Sequence, residues 1–354
     1  MIKVLHVIPT LNFGGISSVI TNWIKANDEN KYIFDVLAFN DGPVRSIVEL
    51  NGGQVFLVRT IKDNPISYFK NLINIIKGGN YDAVHVHNSF KNGIALAVAR
   101  LLGVKIRICH SHTTGLEDKS LKLLFPFLKY IAISNSTKLI ACGERAGEFL
   151  YKKRKYEVIN NAVDIEKFLK IDVNRRNACR FGLPENKVII GHLGRFSDVK
   201  NHSFILRLAK QLDCRFHIVM MGDGPLKQEI KENIKQNELE EKITVLDSTN
   251  LVAEYLNCLD FFILPSKFEG VSLALLEAQA SSLNCFVSDN VPKDNDIGLE
   301  LINFLPIDDP MLWANKIIHY KETGSLEPSA IEEAFFRNGF SIKYLKTRLN
   351  ELYC

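Results

Sequence analysis

Short apolar runs rich in β-branched and aromatic residues alternate with amphipathic stretches along nearly the whole chain. In the first half the runs fall at 3–8, 34–39, 54–58, 82–87, 104–109, 138–142 and 156–159. Between them, stretches such as Ser17 to Ala26 and Ile66 to Ile76 carry helical spacing. The alternation restarts at 187–193, 215–221, 242–247, 260–265, 284–288 and 302–306. Continuous apolar strands separated by helices indicate parallel sheets covered on both faces. Two series of about six strands each predict two doubly wound α/β domains. A single barrel would need eight even βα units and would not explain the polar interruption near 160–186. That interruption is the linker candidate and divides the chain into domains at 1–165 and 166–337. Open parallel sheets bind ligands at the carboxyl ends of their strands. The two sheets are therefore expected to face each other across a cleft lined by strand-to-helix loops.

Composition supports two cores. The chain has 354 residues, of which 46% are hydrophobic and 24% charged, with only 21 Gly and 11 Pro, which excludes disorder, collagen and coiled coil. Its seven Cys are scattered, without a C-x-x-C pair, so neither a disulfide framework nor a zinc site of that type is expected. Met1-Ile2-Lys3 runs straight into a strand-like segment and no apolar run reaches about 18 residues, which predicts a cytoplasmic protein without a signal peptide. The formal charge of +4 is uneven: residues 1–165 carry +8 and residues 166–354 carry −4. This is too weak for nucleic-acid binding. A basic half suits an anionic membrane surface or a phosphate-bearing substrate, or is ordinary charge scatter.

The polar residues of interest fall just after strands. Gly14 and Gly15 precede a helix beginning near Ser17, where backbone N–H groups can approach an anion; a simple tight turn explains them equally. In "GHLGRFSDVKNH", Arg195 and Lys200 share a strand-end loop, and a guanidinium fork with an ammonium suits a diphosphate, with surface ion pairing as the alternative. In "MGDGPL", Gly222 and Gly224 form either a structural turn or a ligand loop. The stretch "PSKFEGVSLALLEAQASS" sets Glu269 on a loop, Gly270 beside it, and a helix running from about Val271 through Glu277. At ~1.5 Å per residue the two carboxylates lie ~12 Å apart, the span from a hexose to a ribose in a nucleotide sugar and too long for a glycosidase pair. His85 and His87, and His110 and His112, form i, i+2 pairs at two strand ends. No carboxylate or Cys has matching ligand spacing, so no metal is expected there. A histidine bonding substrate hydroxyls or phosphate fits better, beside a purely structural one.

Together these segments resemble glycosyltransferase family 4, retaining enzymes of the GT-B fold, and within it bacterial enzymes of exopolysaccharide and capsule synthesis. The resemblance runs from "HVIPTLNFGGISSVITNW" through "RICHSHTT" and "VINNAVDIEKF" to "LDFFILPSKFEGVSLALLEAQASS", and includes the family's Glu-x7-Glu signature as Glu269 and Glu277. It implies two Rossmann-like domains, the second holding a nucleotide sugar and the first the acceptor. Arg195 and Lys200 would neutralise the diphosphate. Glu269 would hold the donor sugar and Glu277 the ribose. Backbone N–H groups at Gly270, Val271 and Ser272 would complete the phosphate cradle, with Gly14 and Gly15 approaching from the first domain. His110 would contact the donor sugar, and the segment from about 338 to 354 would pack back on the first domain. The donor implied is a UDP-sugar, the acceptor a glycan or lipid-linked glycan. Neither a cofactor nor a metal is implied.

Two departures stand out: Ala162 occupies the usual Gly of the linker motif, and "SDNVPKDNDI" is unusually charged. The segment "KLLFPFLKY" (122–130), apolar between lysines, is the candidate for peripheral contact with the inner face of an anionic plasma membrane, or else core packing interrupted by Pro126. Two rival readings keep the fold. One is a UDP-sugar 2-epimerase, which would need carboxylates placed for proton transfer. The other is a non-catalytic sugar-nucleotide-binding partner of a transferase, which should have lost a cation or a Glu.

Overall fold

The computed structural model describes all residues except 13, 28–30, 88, 114, 117–121, 170–180, 321–325 and 354. The middle of the linker candidate thus lies outside the described residues. Compact packing divides the chain into one unit of residues 1–162 with 339–354 and a second of residues 163–338.

The first unit contains β1 (Ile2–Val7), β2 (Tyr32–Ala38), β3 (Val55–Leu57), β4 (Ala83–Val86), β5 (Ile106–Ser111), β6 (Lys138–Ala141) and β7 (Glu157–Val158). They form one sheet in the order β3-β2-β1-β4-β5-β6-β7, with every neighbouring pair parallel. Alternate residues of each strand serve opposite faces. Leu5, Val7, Val84 and Val86 enter a core with Tyr68, Leu72, Leu96 and Leu150 from the helices of that face. Val4, Ile8, Ala83 and Ile108 enter the other core, with Trp23 of the helix Gly15–Ala26 and Leu345, Leu349 and Tyr353 of the helix Ile342–Tyr353. The carboxy-terminal helix is therefore part of this unit.

The second unit contains β8 (Val188–Leu193), β9 (Phe216–Met221), β10 (Ile243–Leu246), β11 (Phe261–Leu264), β12 (Asn284–Ser288) and β13 (Ile302–Leu305), in the order β10-β9-β8-β11-β12-β13. All pairs are again parallel. Phe204, Ile205 and Leu208 of the helix His202–Gln211 pack on Ile218, Ile263 and Trp313 in its core. Burial on both faces explains why these strands read as continuous apolar runs. The strand order reverses direction between β8 and β11, so the loops after those two strands flank the topological switch point. Among the described residues no helix is long and apolar enough to cross a membrane.

Candidate active site

Arg195 and Lys200 lie on the loop leaving β8, and Glu269 on the loop leaving β11, the paired strands at the switch point. Four contacts stitch these loops together, one of them the exposed ion pair of Lys267 with Asp198 at 2.5 Å. Asn201, in the left-handed region at φ 56°, donates from Nδ2 to the Pro265 carbonyl at 3.1 Å. The Lys267 N–H donates to the Val199 carbonyl at 2.8 Å. Lys200 Nζ donates to Glu269 Oε1 at 2.6 Å, and the same oxygen accepts from Ser266 Oγ at 2.6 Å. Glu269 Oε2 accepts nothing among the described residues, and two of the three Lys200 N–H donors remain for a ligand. Gly194 makes room for this lysine, since a Cβ there would come within 3.1 Å of Lys200 Cε. Arg195 is exposed and makes no ion pair among the described residues.

Glu277 lies on the helix Leu273–Ala280, which begins two residues later than the sequence pattern suggests. The residue is partly exposed, yet burial of its carboxyl pushes it up to about 7, with Lys167 pulling the other way. The entry to this helix is held by Asn295, a fully buried residue whose role the sequence does not announce. Its Oδ1 accepts from the Ser272 N–H at 2.7 Å, and its Nδ2 donates to the Gly270 carbonyl at 3.0 Å. Gln279 closes the arrangement by donating to the Asn295 carbonyl and accepting from the Ile297 N–H. The charged segment "SDNVPKDNDI" thereby gains a physical account: it buttresses the Gly270–Ser272 turn.

These contacts change three expectations. The Ser272 N–H is taken by Asn295, so it is not free for a phosphate as the structure stands. Gly222 donates its N–H to the Leu246 carbonyl, and a Cβ on it would sit 2.0 Å from the Gly194 oxygen. Its glycine is thus required by packing against the Arg195 loop. His110 is 1% exposed inside the first unit's sheet, with Nδ1 on His85 Nε2 at 3.1 Å. The more accessible ring is His112, at the strand's end.

His110 belongs to a larger group. Backbone register sets His6 opposite His85, and the even spacing of β4 and β5 adds His87, His110 and His112 to the same face. His6 Nδ1 lies 2.8 Å from His87 Nε2, His87 Nδ1 lies 3.1 Å from His112 Nε2, and His85 Nδ1 lies 2.7 Å from the Tyr353 hydroxyl. Burial pushes His6 and His112 down to about 3 and holds His85, His87 and His110 well below the usual imidazole range, with repulsion between the rings adding to it. All five are neutral at physiological pH. Gly14 and Gly15 begin the helix Gly15–Ala26, and a Cβ on either would meet nothing within 4 Å.

Residues 13–167 match the family described as Glycosyltransferase Family 4, and residues 174–322 match Glycosyl transferases group 1. The chain is 36% identical over 358 residues to the putative glycosyltransferase EpsF of Bacillus subtilis, covering 96% of this chain and 92% of that protein. It is 29% identical over 312 residues to the UDP-Gal:alpha-D-GlcNAc-diphosphoundecaprenol alpha-1,3-galactosyltransferase of Escherichia coli, covering 81% of this chain and 79% of that protein. Among solved structures, Anabaena HepE in complex with UDP and glucose superposes with a TM-score of 0.81 at 16% identity, covering 99% of both chains. The fold is GT-B, two Rossmann-like units. The chain belongs to glycosyltransferase family 4 and is a glycosyltransferase. The relatives are named transferases, and the epimerase reading finds no support in them.

Proposed function

We propose that the protein moves a sugar from a UDP-sugar to a lipid-linked or growing glycan, with retention of anomeric configuration, in assembly of a bacterial surface polysaccharide. The observation that carries this reading is the Lys200–Glu269 pair beside the exposed Arg195 at the switch point of the second unit. In the reaction the bond between the anomeric carbon and the diphosphate oxygen breaks, and its electrons leave on the diphosphate. Arg195 and the two spare N–H donors of Lys200 stabilise that charge, the kind of preorganised term that dominates such chemistry. Glu269 Oε2 accepts from a hydroxyl of the departing sugar. The acceptor oxygen bonds the same carbon, and its proton passes to the diphosphate side. Glu277, once ionised, accepts from the ribose hydroxyls. In the first unit, Gly14 and Gly15 are the groups we assign to substrate, since His110 is enclosed. The UDP-utilising E. coli relative and the UDP in HepE support the choice of nucleotide.

The acceptor side favours a membrane surface. Leu123, Leu124, Phe127 and Tyr130 are 93%, 53%, 62% and 66% exposed, around the start of the helix Phe125–Ser134. Its other side, Phe125 and Leu128, packs into the core. Pro126 occupies the first turn, where its missing N–H costs nothing. Burial lowers the pKa of Lys129 on this helix, and Lys152 and Arg154 of the exposed Lys152–Lys155 run lower it further. Apolar side chains rimmed by cations suit a bilayer bearing anionic lipid, where each basic residue near the surface contributes about 1 kcal/mol.

The test is a donor screen by nucleotide release, followed by NMR of the product. A UDP-sugar donor and a retained anomer are expected, and the combined R195A and K200A substitutions should abolish transfer. An inverted anomer, or transfer surviving in that double variant, would overturn the reading.

A further inference from the structure

The imidazole group on the first unit's sheet offers more than hydrogen bonding. One ring nitrogen from each of His87, His110 and His112 lies within 4.8 Å of the other two. A tetrahedral site with metal–nitrogen bonds of about 2.0–2.1 Å needs its nitrogens roughly 3.3 Å apart. His87 Nδ1 and His112 Nε2 are already 3.1 Å apart, and the His110 and His112 rings lie 4.0 Å apart between centroids. His110 Nε2 is buried without any hydrogen-bond partner. A buried ring nitrogen left bare loses the water it would bind in the unfolded chain. A cation between these rings would use it.

The second observation is how the outer nitrogens are held. Metal-bound histidines nearly always donate their other N–H to a fixed acceptor, which sets the ring's tautomer and orientation. His87 has Nε2 on His6 Nδ1 at 2.8 Å, and His110 has Nδ1 on His85 Nε2 at 3.1 Å. His85 is in turn anchored to the Tyr353 hydroxyl at 2.7 Å. Both buried candidate ligands thus carry a ready outer shell, which leaves Nδ1 of His87 and Nε2 of His110 as the inner nitrogens. A second trio, His6 with His85 and His87, also has its nitrogens within 4.8 Å, but all three rings are fully buried. Only the first trio includes a partly exposed ring, His112, to give an ion a way in.

We propose that His87 Nδ1, His110 Nε2 and His112 Nε2 form a three-histidine site for a borderline transition-metal ion, with Zn2+ as the reference case. An all-imidazole set selects Zn2+, Co2+, Ni2+ or Cu2+ over Mg2+ and Ca2+, which need oxygen ligands. The ion replaces the proton shared by His87 and His112. The site is separate from the second unit's residues assigned to the diphosphate, and its test does not depend on transfer.

The 354-residue chain, stripped with chelator, is titrated calorimetrically with ZnCl2 and with MgCl2. One equivalent of Zn2+ should bind and Mg2+ should not. H112Q, at the accessible ring, should weaken Zn2+ binding about tenfold or more, with an unchanged circular dichroism spectrum. Cu2+ added to the unsubstituted protein should show electron paramagnetic resonance splitting from three nitrogens, a result independent of any variant. Absence of Zn2+ binding would overturn the proposal. So would affinity unchanged in H112Q, or a Co2+ spectrum with thiolate charge transfer, which would place the ion at a cysteine such as the exposed Cys214.

Discussion

Lys200 and Glu269 meet at 2.6 Å with only 16% and 12% of their side chains exposed, and they come from loops 69 residues apart in sequence. The pair fixes the β8 loop against the β11 loop before any ligand arrives. Removing one partner leaves the other charge partly buried and alone, which costs more than the pair contributes. K200A should therefore lower stability by about 2–3 kcal/mol, somewhat less than for a fully enclosed pair. K200A with E269A should recover much of that loss. Transfer should fall about 10²–10³-fold in K200A, as expected when a preorganised charge at the leaving group is removed. Denaturant unfolding and UDP-release kinetics, arranged as a double-mutant cycle, check both. Strict additivity of the two stability losses would show that the ion pair does not organise the loops.

Each strand of both sheets coincides with an apolar run, displaced by at most two residues at an end. This legibility has a physical origin: in a doubly covered parallel sheet both faces of a strand are mostly apolar, so no face pattern has to be resolved. Arg195, Lys200 and Glu269 are legible because they follow such runs, and Glu277 through its Glu-x7-Glu spacing from Glu269. What escaped is set by pairing between distant segments. Asn295 reaches Ser272 across 23 residues of sequence and carries no local signature. Ser266 reads as an ordinary loop serine until its hydroxyl is found on Glu269. The histidines read as two i, i+2 pairs, and a search for acidic or Cys ligands finds nothing beside them. Only the register of β4 on β5 sets His87 beside His110, and only β1 adds His6. Gly222 was legible as a turn, but the reason for its glycine, the Gly194 carbonyl, lies on another loop.

Glu277 supplies a pH dependence. Its carboxyl titrates near 4.5 when unfolded and is pushed up to about 7 in the fold by burial. Between those values the folded chain holds a proton that the unfolded chain has lost, so stability falls as pH rises through the window. Below it both states are neutral and the contribution is fully present; above it the contribution is gone. E277Q should match the parent in acid and be more stable near pH 8 by about 2 kcal/mol, allowing for partial exposure. A ribose bonded to the ionised carboxylate reverses the preference. UDP should bind more tightly as pH rises through about 7, with release of a proton, and calorimetry in buffers of different ionisation enthalpy reads that proton. Affinity independent of pH across the window would remove Glu277 from the ribose.

The exposed apolar face near the helix Phe125–Ser134 predicts a lipid dependence. Leu123 and Phe127 lack partners in the core, whereas Phe125 and Leu128 are packed. L123S with F127S should weaken binding to anionic vesicles about tenfold or more while leaving the melting temperature nearly unchanged, because little buried area is lost. Added salt should weaken binding of the parent through screening of the Lys152–Lys155 run. Co-sedimentation with and without anionic lipid checks both effects. Equal sedimentation of parent and variant would end the membrane assignment.

Gly15 and Gly222 form a contrasting pair of glycines. A Cβ on Gly15 meets nothing within 4 Å, and Gly15 does not have the positive φ of Gly14. G15A should therefore fold as the parent does, with stability equal or slightly raised, since alanine reduces the freedom of the unfolded chain. If the start of the helix Gly15–Ala26 receives an anionic substrate, the new methyl group stands where backbone and ligand should approach, and kcat/KM should fall about tenfold or more. At Gly222 a Cβ would press to 2.0 Å from the Gly194 oxygen, with φ at +152°. G222A should shift the Arg195 loop, lower the melting temperature and reduce transfer together. The two variants separate a substrate-facing glycine from a packing one: activity lost with stability intact in G15A, both lost in G222A. A G15A enzyme with parental kcat/KM would return Gly14 and Gly15 to the role of a plain turn.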